Sequence, residues 1–376
     1  MDFITKVYNY YNFENINSQK SYFQTFLSKD NKVYGLRLGI PEDAEEISEI
    51  YKEIYGYEYL DPIVYDIKNL RASLADRNNY WFICEKIEDL ESEICGSGLM
   101  QKVNENILYA SKAVVKKKFQ KKGIGSILTS NGIITLLKKP EFKNIVRLDS
   151  DVRAKNINAQ KLIQNSRGIA YSFNPIFYIY GDRRTCKFND KNPFNRGRSE
   201  PAILFLNPLS KLWQIRSRKI FLLKDDDIKF FYEYAKSTNR KMKNDIVEYL
   251  MSSSLTSNQF YISKDFSKAI LHLSGYIQEK TLKKLIKSHQ NWRCIEWRIP
   301  ATLEGISATK IALRNGFIPS GYDIGSTKTF SDKLNDALLF NYFPLGVDFE
   351  DWNSINVLND LRPLVNKIIG YLENES

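Results

Sequence analysis

Histidine is nearly missing from this 376-residue chain: His272 and His289 are the only two. A histidine-rich metal site or a His-centred triad has little material here. The four cysteines, Cys84, Cys95, Cys186 and Cys294, are widely spaced with no CxxC pair. Neither a zinc site nor a disulfide framework follows. Cys84 and Cys95 lie in strand-like runs and read as reduced core thiols. No apolar run approaches the length that spans a bilayer, and the opening MDFITKVYNYYNF lacks a signal-like apolar core. The expectation is a cytoplasmic protein with no membrane partner and no bound metal.

Apolar residues make up 43% and aromatics 13% of the chain, enough to bury sizeable cores and exclude wholesale disorder. The length favours two domains. A net charge of +11 suits an anionic partner such as nucleic acid, a membrane surface or a phosphorylated ligand. The chain is rich in Lys, Asn and Ile throughout, so the charge also reads as a compositional habit.

Residues 1–33 read as an N-terminal extension holding a short helix. From Tyr34 the pattern becomes regular. YGLRLG alternates as a strand, and PEDAEEISEIYKEIY opens with Pro and acids as a helix should. Its Ile47, Ile50, Tyr51 and Ile54 share one helical face. An aromatic loop, GYEYLDPIVY, leads to a second helix, DIKNLRASLA. Three strands follow, YWFICEKI, EICGSGLMQKV and NILYASKAVV, joined by turns as an antiparallel meander. The series ends strand–helix–strand near Gly181. Past a polar stretch, the second half repeats that β-α-β-α-β order, which points to a degenerate duplication. The expected limits are 34–185 for the first domain, 186–199 for a linker and 200–376 for the second.

The stretch VVKKKFQKKGIGSILTS (114–130) joins a strand to a helix through two glycines. Helix-start amides lack intrahelical partners and carry the positive end of the dipole, so they attract anions. Gly123 and Gly125 let the backbone approach a pyrophosphate, and Lys116, Lys117, Lys118, Lys121 and Lys122 raise the local potential. The third glycine of G-x-G-x-x-G is missing, and no G-K-[ST] follows, so Rossmann and Walker loops are excluded.

Gln120-Lys121-Lys122-Gly123-Ile124-Gly125, set between strand and helix, resembles the acyl-CoA motif Q/R-x-x-G-x-G/A of the GNAT acyltransferases. The element order from Tyr34 to Gly181 fits that fold. The resemblance implies a mixed α/β sheet, in tandem: two similar mixed-sheet domains of the GNAT acyl-CoA N-acyltransferase fold. It implies acetyl-CoA or another acyl-CoA as cofactor. Ala113, Val114 and Val115 would pair with the pantetheine arm. The amides of Gln120, Lys121, Lys122, Gly123, Ile124, Gly125 and Ser126 would cradle the pyrophosphate, with the lysines near the 3′-phosphate. RAKNINAQKL resembles the family's second cofactor-side element, with Asn156 on the pantetheine and Ala159 keeping the helix close.

The pattern also breaks. Ile163 stands where the family's acidic Tyr is expected, and the strand position that often holds Glu falls near Tyr109, a poor base at neutral pH. Asp149 and Asp151 are the nearest carboxylates, which leaves Tyr109 and Asp151 as catalytic candidates. The oxyanion would fall to a backbone amide near Val114. Tyr55, Tyr57 and Glu58 in the aromatic loop would meet the acceptor; packing against a neighbouring domain is the other reading. Ala312 and Asn315-Gly316-Phe317 resemble the end of a second GNAT unit that lacks the CoA motif. The expected activity is N-acyl transfer, most simply of acetyl, to a small-molecule or amino-acid-like amine by direct attack on the thioester. An acyl-CoA-binding regulatory protein is the alternative. An aminoacyl-tRNA-dependent transferase ranks last, and nucleic-acid binding stays in reserve.

Overall fold

The computed structural model describes residues 22–27, 31–87, 92–180, 198–328, 333–347 and 355–374. They fall into two compact units, one holding the described residues up to Leu148 and the other those from Asp149 onward. This division lies inside a strand and earlier than the domain limit read from the sequence. Most of the expected linker, 186–197, is outside the described residues.

The first unit begins with β1 (Gln24–Leu27) and β2 (Val33–Leu38). Of the stretch expected as an extension, residues 22–27 hold β1; residues before 22, where the expected short helix would fall, lie outside the described ones. A short 3-10 turn at Pro41–Asp43 leads into α1 (Ala44–Tyr55). Ile47, Ile50 and Tyr51 bury the expected face, and Gly56 ends the helix with φ 61°. Then come α2 (Ile67–Ala75), whose N-cap Asp66 accepts from the Asn69 amide, β3 (Asn79–Ile87), β4 (Ser92–Lys102), β5 (Ile107–Val115) and α3 (Ile124–Leu137). The five strands pair in chain order, each antiparallel to the next, so β3, β4 and β5 form the meander expected of them. Alternation along β3 sorts the helices. Trp81 and Ile83 join the core under α1 and α2, while Phe82 faces α3, where a Cβ at Gly132 would stand 3.0 Å from its ring.

The second unit runs β6 (Arg147–Arg153), α4 (Ile157–Asn165), β7 (Ile169–Tyr180), β8 (Arg198–Pro208), α5 (Leu212–Ile215), β9 (Lys219–Leu223), α6 (Asp226–Thr238), β10 (Ile246–Leu250), β11 (Phe260–Asp265), β12 (Ile270–Gly275), α7 (Glu279–Ser288), β13 (Cys294–Pro300), α8 (Leu303–Arg314), β14 (Ile318–Lys328), β15 (Leu334–Tyr342) and α9 (Arg362–Asn374). Its main sheet has the order β6-β8-β7-β14-β15-β13-β12-β11. β6-α4-β7-β8 and β13-α8-β14-β15 share one element order, and their strands mirror each other about the β7–β14 junction. There Gly321 pairs with Ser172, and a side chain at 321 would collide with the Tyr171 carbonyl, 2.1 Å from a Cβ. β12 and β13 run parallel in unbroken register from Ile270↔Cys294 to Ser274↔Arg298. β9 and β10 form a separate parallel pair. Arg216 is buried between Asp245 and Asp336, and Tyr322 donates to Asp336 at 2.7 Å. Among the described residues no helix is long and apolar enough to cross a membrane.

Candidate functional site

The strand–turn–helix read from the sequence forms as expected. Buried Phe119 anchors a 3-10 turn at Lys117–Phe119 after β5, and the Gln120 side-chain amide donates to the Val115 carbonyl at 3.1 Å. Lys121 has φ 64° and Gly123 φ 89°, a left-handed pair that turns the chain into α3. Gly123 is the N-cap of that 14-residue helix, and no side chain caps it. The amides of Ile124, Gly125 and Ser126 therefore lack intrahelical acceptors at the positive end of the dipole.

A Cβ built at Gly123 meets nothing within 4 Å, and one at Gly125 meets only Val115 Cγ2 at 3.9 Å. The backbone geometry explains the glycine at 123. Among the described residues nothing requires one at 125, so the open space above the loop is what a bound group would fill. These residues fit a pyrophosphate.

The five lysines divide. Lys116 Nζ lies 3.0 Å from Glu46 and 3.1 Å from Glu93, and Lys118 Nζ lies 2.7 Å from Glu93. Burial works against the Lys116 charge, but the two carboxylates outweigh it and raise its pKa. The Lys117 amide donates to Glu53 of α1. Lys116 and Lys118 thus hold the loop onto α1 and β4 and share their charge with Glu46 and Glu93. Lys121 is exposed beside Gly123, and Lys122 lies 5.3 Å over the Phe119 ring.

On β5, Tyr109 pairs with Gln101 and is half-buried; Ala113 is exposed, Val114 buried and Val115 half-buried. Between Ser111 and Val114 the β4–β5 register shifts, and Lys112 takes φ 55°. This β-bulge had no clear sequence signal. The buried Tyr51 hydroxyl donates to the Lys112 carbonyl; burial, then neighbouring Tyr55, pushes its pKa well up, so the donor proton stays. Lys112 Nζ meets Asp61 of the aromatic loop at 2.8 Å.

The tyrosines of that loop pack on one another. Tyr51 and Tyr59 are 4.8 Å apart between ring centroids, Tyr55 and Tyr59 5.0 Å, and Tyr57 and Tyr65 5.3 Å. Tyr57 and Glu58 remain exposed at the rim. Of the thiols in this unit, Cys84 and Cys95 are buried, and burial raises Cys95 to about 12. Neither is a thiolate nucleophile.

The remaining candidates sit in the second unit. Asp151 on β6 is nearly covered and lies 3.8 Å from Lys268 Nζ. Asn156 caps α4 by accepting from the Ala159 amide at 3.1 Å and is otherwise exposed. Ile163 packs near Gly168, where a Cβ would meet its Cγ2 at 2.3 Å.

With this geometry in place, the comparisons are direct. Residues 44–169 match the model of the acetyltransferase (GNAT) family. This segment is a GNAT acetyltransferase domain. The cofactor that goes with it is acetyl-CoA. No curated protein sequence matches the chain. Solved structures similar to it include the ribosomal-protein-S18-alanine N-acetyltransferase of Escherichia coli, at 16% identity over 47% of this chain and 94% of that one (TM-score 0.35). A spermidine N-acetyltransferase from Vibrio cholerae gives 12% identity over 47% and 95% (TM-score 0.37). Arabidopsis thaliana NAA60 with acetyl-CoA gives 15% over 46% and 98% (TM-score 0.36).

Proposed function

We propose that the protein is an N-acetyltransferase acting on the amine of a small or amino-acid-like acceptor. The observation that carries this reading is the uncapped α3 N-terminus, with a glycine at 125 that no contact among the described residues explains. Acetyl-CoA supplies an activated thioester when bound. The chain's own contribution is to hold the diphosphate on the Ile124, Gly125 and Ser126 amides, with Lys121 and Lys122 beside them. Ala113, Val114 and Val115 remain the proposed pantetheine contacts, with Asn156 as a further one. Tyr57 and Glu58, at the rim of the aromatic loop, are the proposed acceptor contacts together with Tyr55. Tyr109 and Asp151 remain weak catalytic candidates, Asp151 being occupied by Lys268.

The mirrored strand order about β7–β14 supports a tandem origin, with the second half a degenerate GNAT unit. Its β12–β13 pair is zipped along its length, and α7 opens with Glu279, which repels a phosphate; both count against a second CoA site among the described residues. Unpaired buried Cys84, Cys95 and Cys294 suit a reducing, cytoplasmic compartment. A regulatory acyl-CoA-binding role is the second reading, favoured by Ile163 in place of the usual acid.

Calorimetry with acetyl-CoA, longer acyl-CoAs and free CoA tests the reading, with a Gly123→Glu, Gly125→Glu double variant as control. Micromolar binding that the variant loses, followed by CoA release with an amine panel, is expected. Folded wild type that binds none of these ligands overturns it. Binding without turnover favours the regulatory role.

A further inference from the structure

Among the described residues five other than glycine have positive φ, and Lys112, at 55°, is the one of them inside a strand. The left-handed region disfavours a lysine, so such a residue persists where its surroundings hold it there. Two groups hold Lys112, and both belong to the first unit. The buried Tyr51 hydroxyl of α1 donates to its carbonyl. Its ammonium meets Asp61 Oδ2 at 2.8 Å, with the lysine side chain 14% exposed. Salt and solvent therefore screen this pair less than one on the open surface.

The other oxygen of Asp61 serves the aromatic loop itself. Oδ1 accepts from the Ile63 amide at 3.0 Å and caps the 3-10 turn at Pro62–Tyr65. The Tyr65 hydroxyl in turn accepts from the Tyr59 amide at 3.0 Å, and its ring packs on Tyr57. Asp61 is thus the joint at which a loop braced by its own bonds is fastened to β5. The fastening point is next to Ala113, the exposed first residue of the proposed pantetheine stretch. Three residues on, Val115 Cγ2 lies 3.9 Å from where a Cβ would stand at Gly125, so the same strand leads straight to the phosphate cradle. Of the loop's acids, Asp61 faces Lys112 and Asp66 caps α2, while Glu58 stands exposed at the rim.

We propose that the Asp61–Lys112 pair is a latch that sets the acceptor loop against the strand carrying the acyl chain, both residues being positioning residues for the amine. This rests on the N-acetyltransferase reading and on the loop meeting the acceptor. With the latch closed, Tyr57 and Glu58 are held at a fixed place relative to the bulge. With it open, the loop keeps its internal bonds and loses its tie to β5. The amine is then held less well, while the cradle at the α3 N-terminus keeps its geometry.

The test compares full-length wild type with Asp61→Asn, Lys112→Gly and the double variant. Asparagine keeps an Oδ1 acceptor for the Ile63 amide and loses the charge. Glycine adopts φ 55° freely, so it removes the ammonium without straining the bulge. Glu45→Gln, which breaks the exposed Glu45–Arg71 pair, is the control. Three quantities are read: hydrogen exchange at the Glu58 and Tyr59 amides without ligand, acetyl-CoA binding by calorimetry, and CoA release with putrescine, glycinamide and alanylalanine as amines. Each single variant is expected to exchange faster at both amides and to raise the amine KM about 10-fold. Its kcat and acetyl-CoA affinity should stay within about twofold of wild type, the pattern of a lost binding contact. The double variant should match the singles, since one interaction is lost once, and the control should behave as wild type. A pair that only stabilises the fold would lower the melting temperature and leave the amine KM alone. Unchanged exchange, an unchanged KM, or additive effects in the double variant overturn the latch alone. Wild type that transfers acetyl to none of the amines overturns the N-acetyltransferase reading and this assignment with it.

Discussion

Gly125 and Tyr51 show how single positions separate ligand demands from folding demands. Gly125 is an ordinary helical residue whose Cβ would stand 3.9 Å from Val115, so alanine fits without strain. Its intrinsic helix propensity favours the fold by up to about 1 kcal/mol. Gly125→Ala is therefore expected to melt at or above the wild-type temperature while binding acetyl-CoA about 10-fold or more weakly, roughly 1.4 kcal/mol. Unchanged affinity would remove the ligand explanation for the glycine. Tyr51 carries the opposite demand. Its hydroxyl holds the Lys112 carbonyl at a left-handed residue, and Tyr51→Phe removes that donor from a buried site. Urea titration should show a loss of about 1 to 2 kcal/mol, with CoA affinity little altered.

At the scale of the element, the β5–turn–α3 unit was legible because its logic is local. Strand alternation, two glycines and an apolar-periodic run lie within seventeen consecutive residues, and the structure forms all three. What the sequence hid depends on partners far along the chain. Lys116 is tied to Glu46, and Lys118 to Glu93, so five neighbouring lysines look alike until the sheet is assembled. β9, β10 and α9 were not anticipated, being too short or too mixed in pattern to stand out. The division of labour among the lysines gives a prediction. Lys121→Met should weaken acetyl-CoA binding several-fold and flatten its salt dependence, since an exposed cation near an anion acts through screened attraction. Lys116→Met should leave that salt dependence alone and instead lower the melting temperature, because Glu46 and Glu93 lose their shared partner. Calorimetry at two salt concentrations with a thermal melt separates the two; equal effects on binding would refute the assignment.

For the molecule as a whole, the β13-α8-β14-β15 order of the second half was legible and its polar interior was not. Cys294, Glu296 and Arg298 alternate along β13 as a strand face should, yet all three turn into a network built by β7, β12, β14 and β15. Only the tertiary fold shows that a strand with a buried carboxylate holds together because Arg298 neutralises it and His272 lies within hydrogen-bond distance. This has a consequence for acid stability with a definite sign. Glu296 is depressed from an ordinary 4.5 to about 2 in the fold, so its contribution is fully present above about pH 4.5 and is lost as pH falls toward 2. The linkage amounts to about 3 kcal/mol as an order of magnitude. Glu296→Gln should be less stable near neutrality, because Arg298 loses its nearest carboxylate. Its stability should also change less between pH 4.5 and 2 than that of wild type. Denaturant titrations across that window measure both slopes. Parallel slopes would mean that Glu296 does not carry this acid sensitivity, and the network would then owe its cohesion to Asp323 and Arg298 instead.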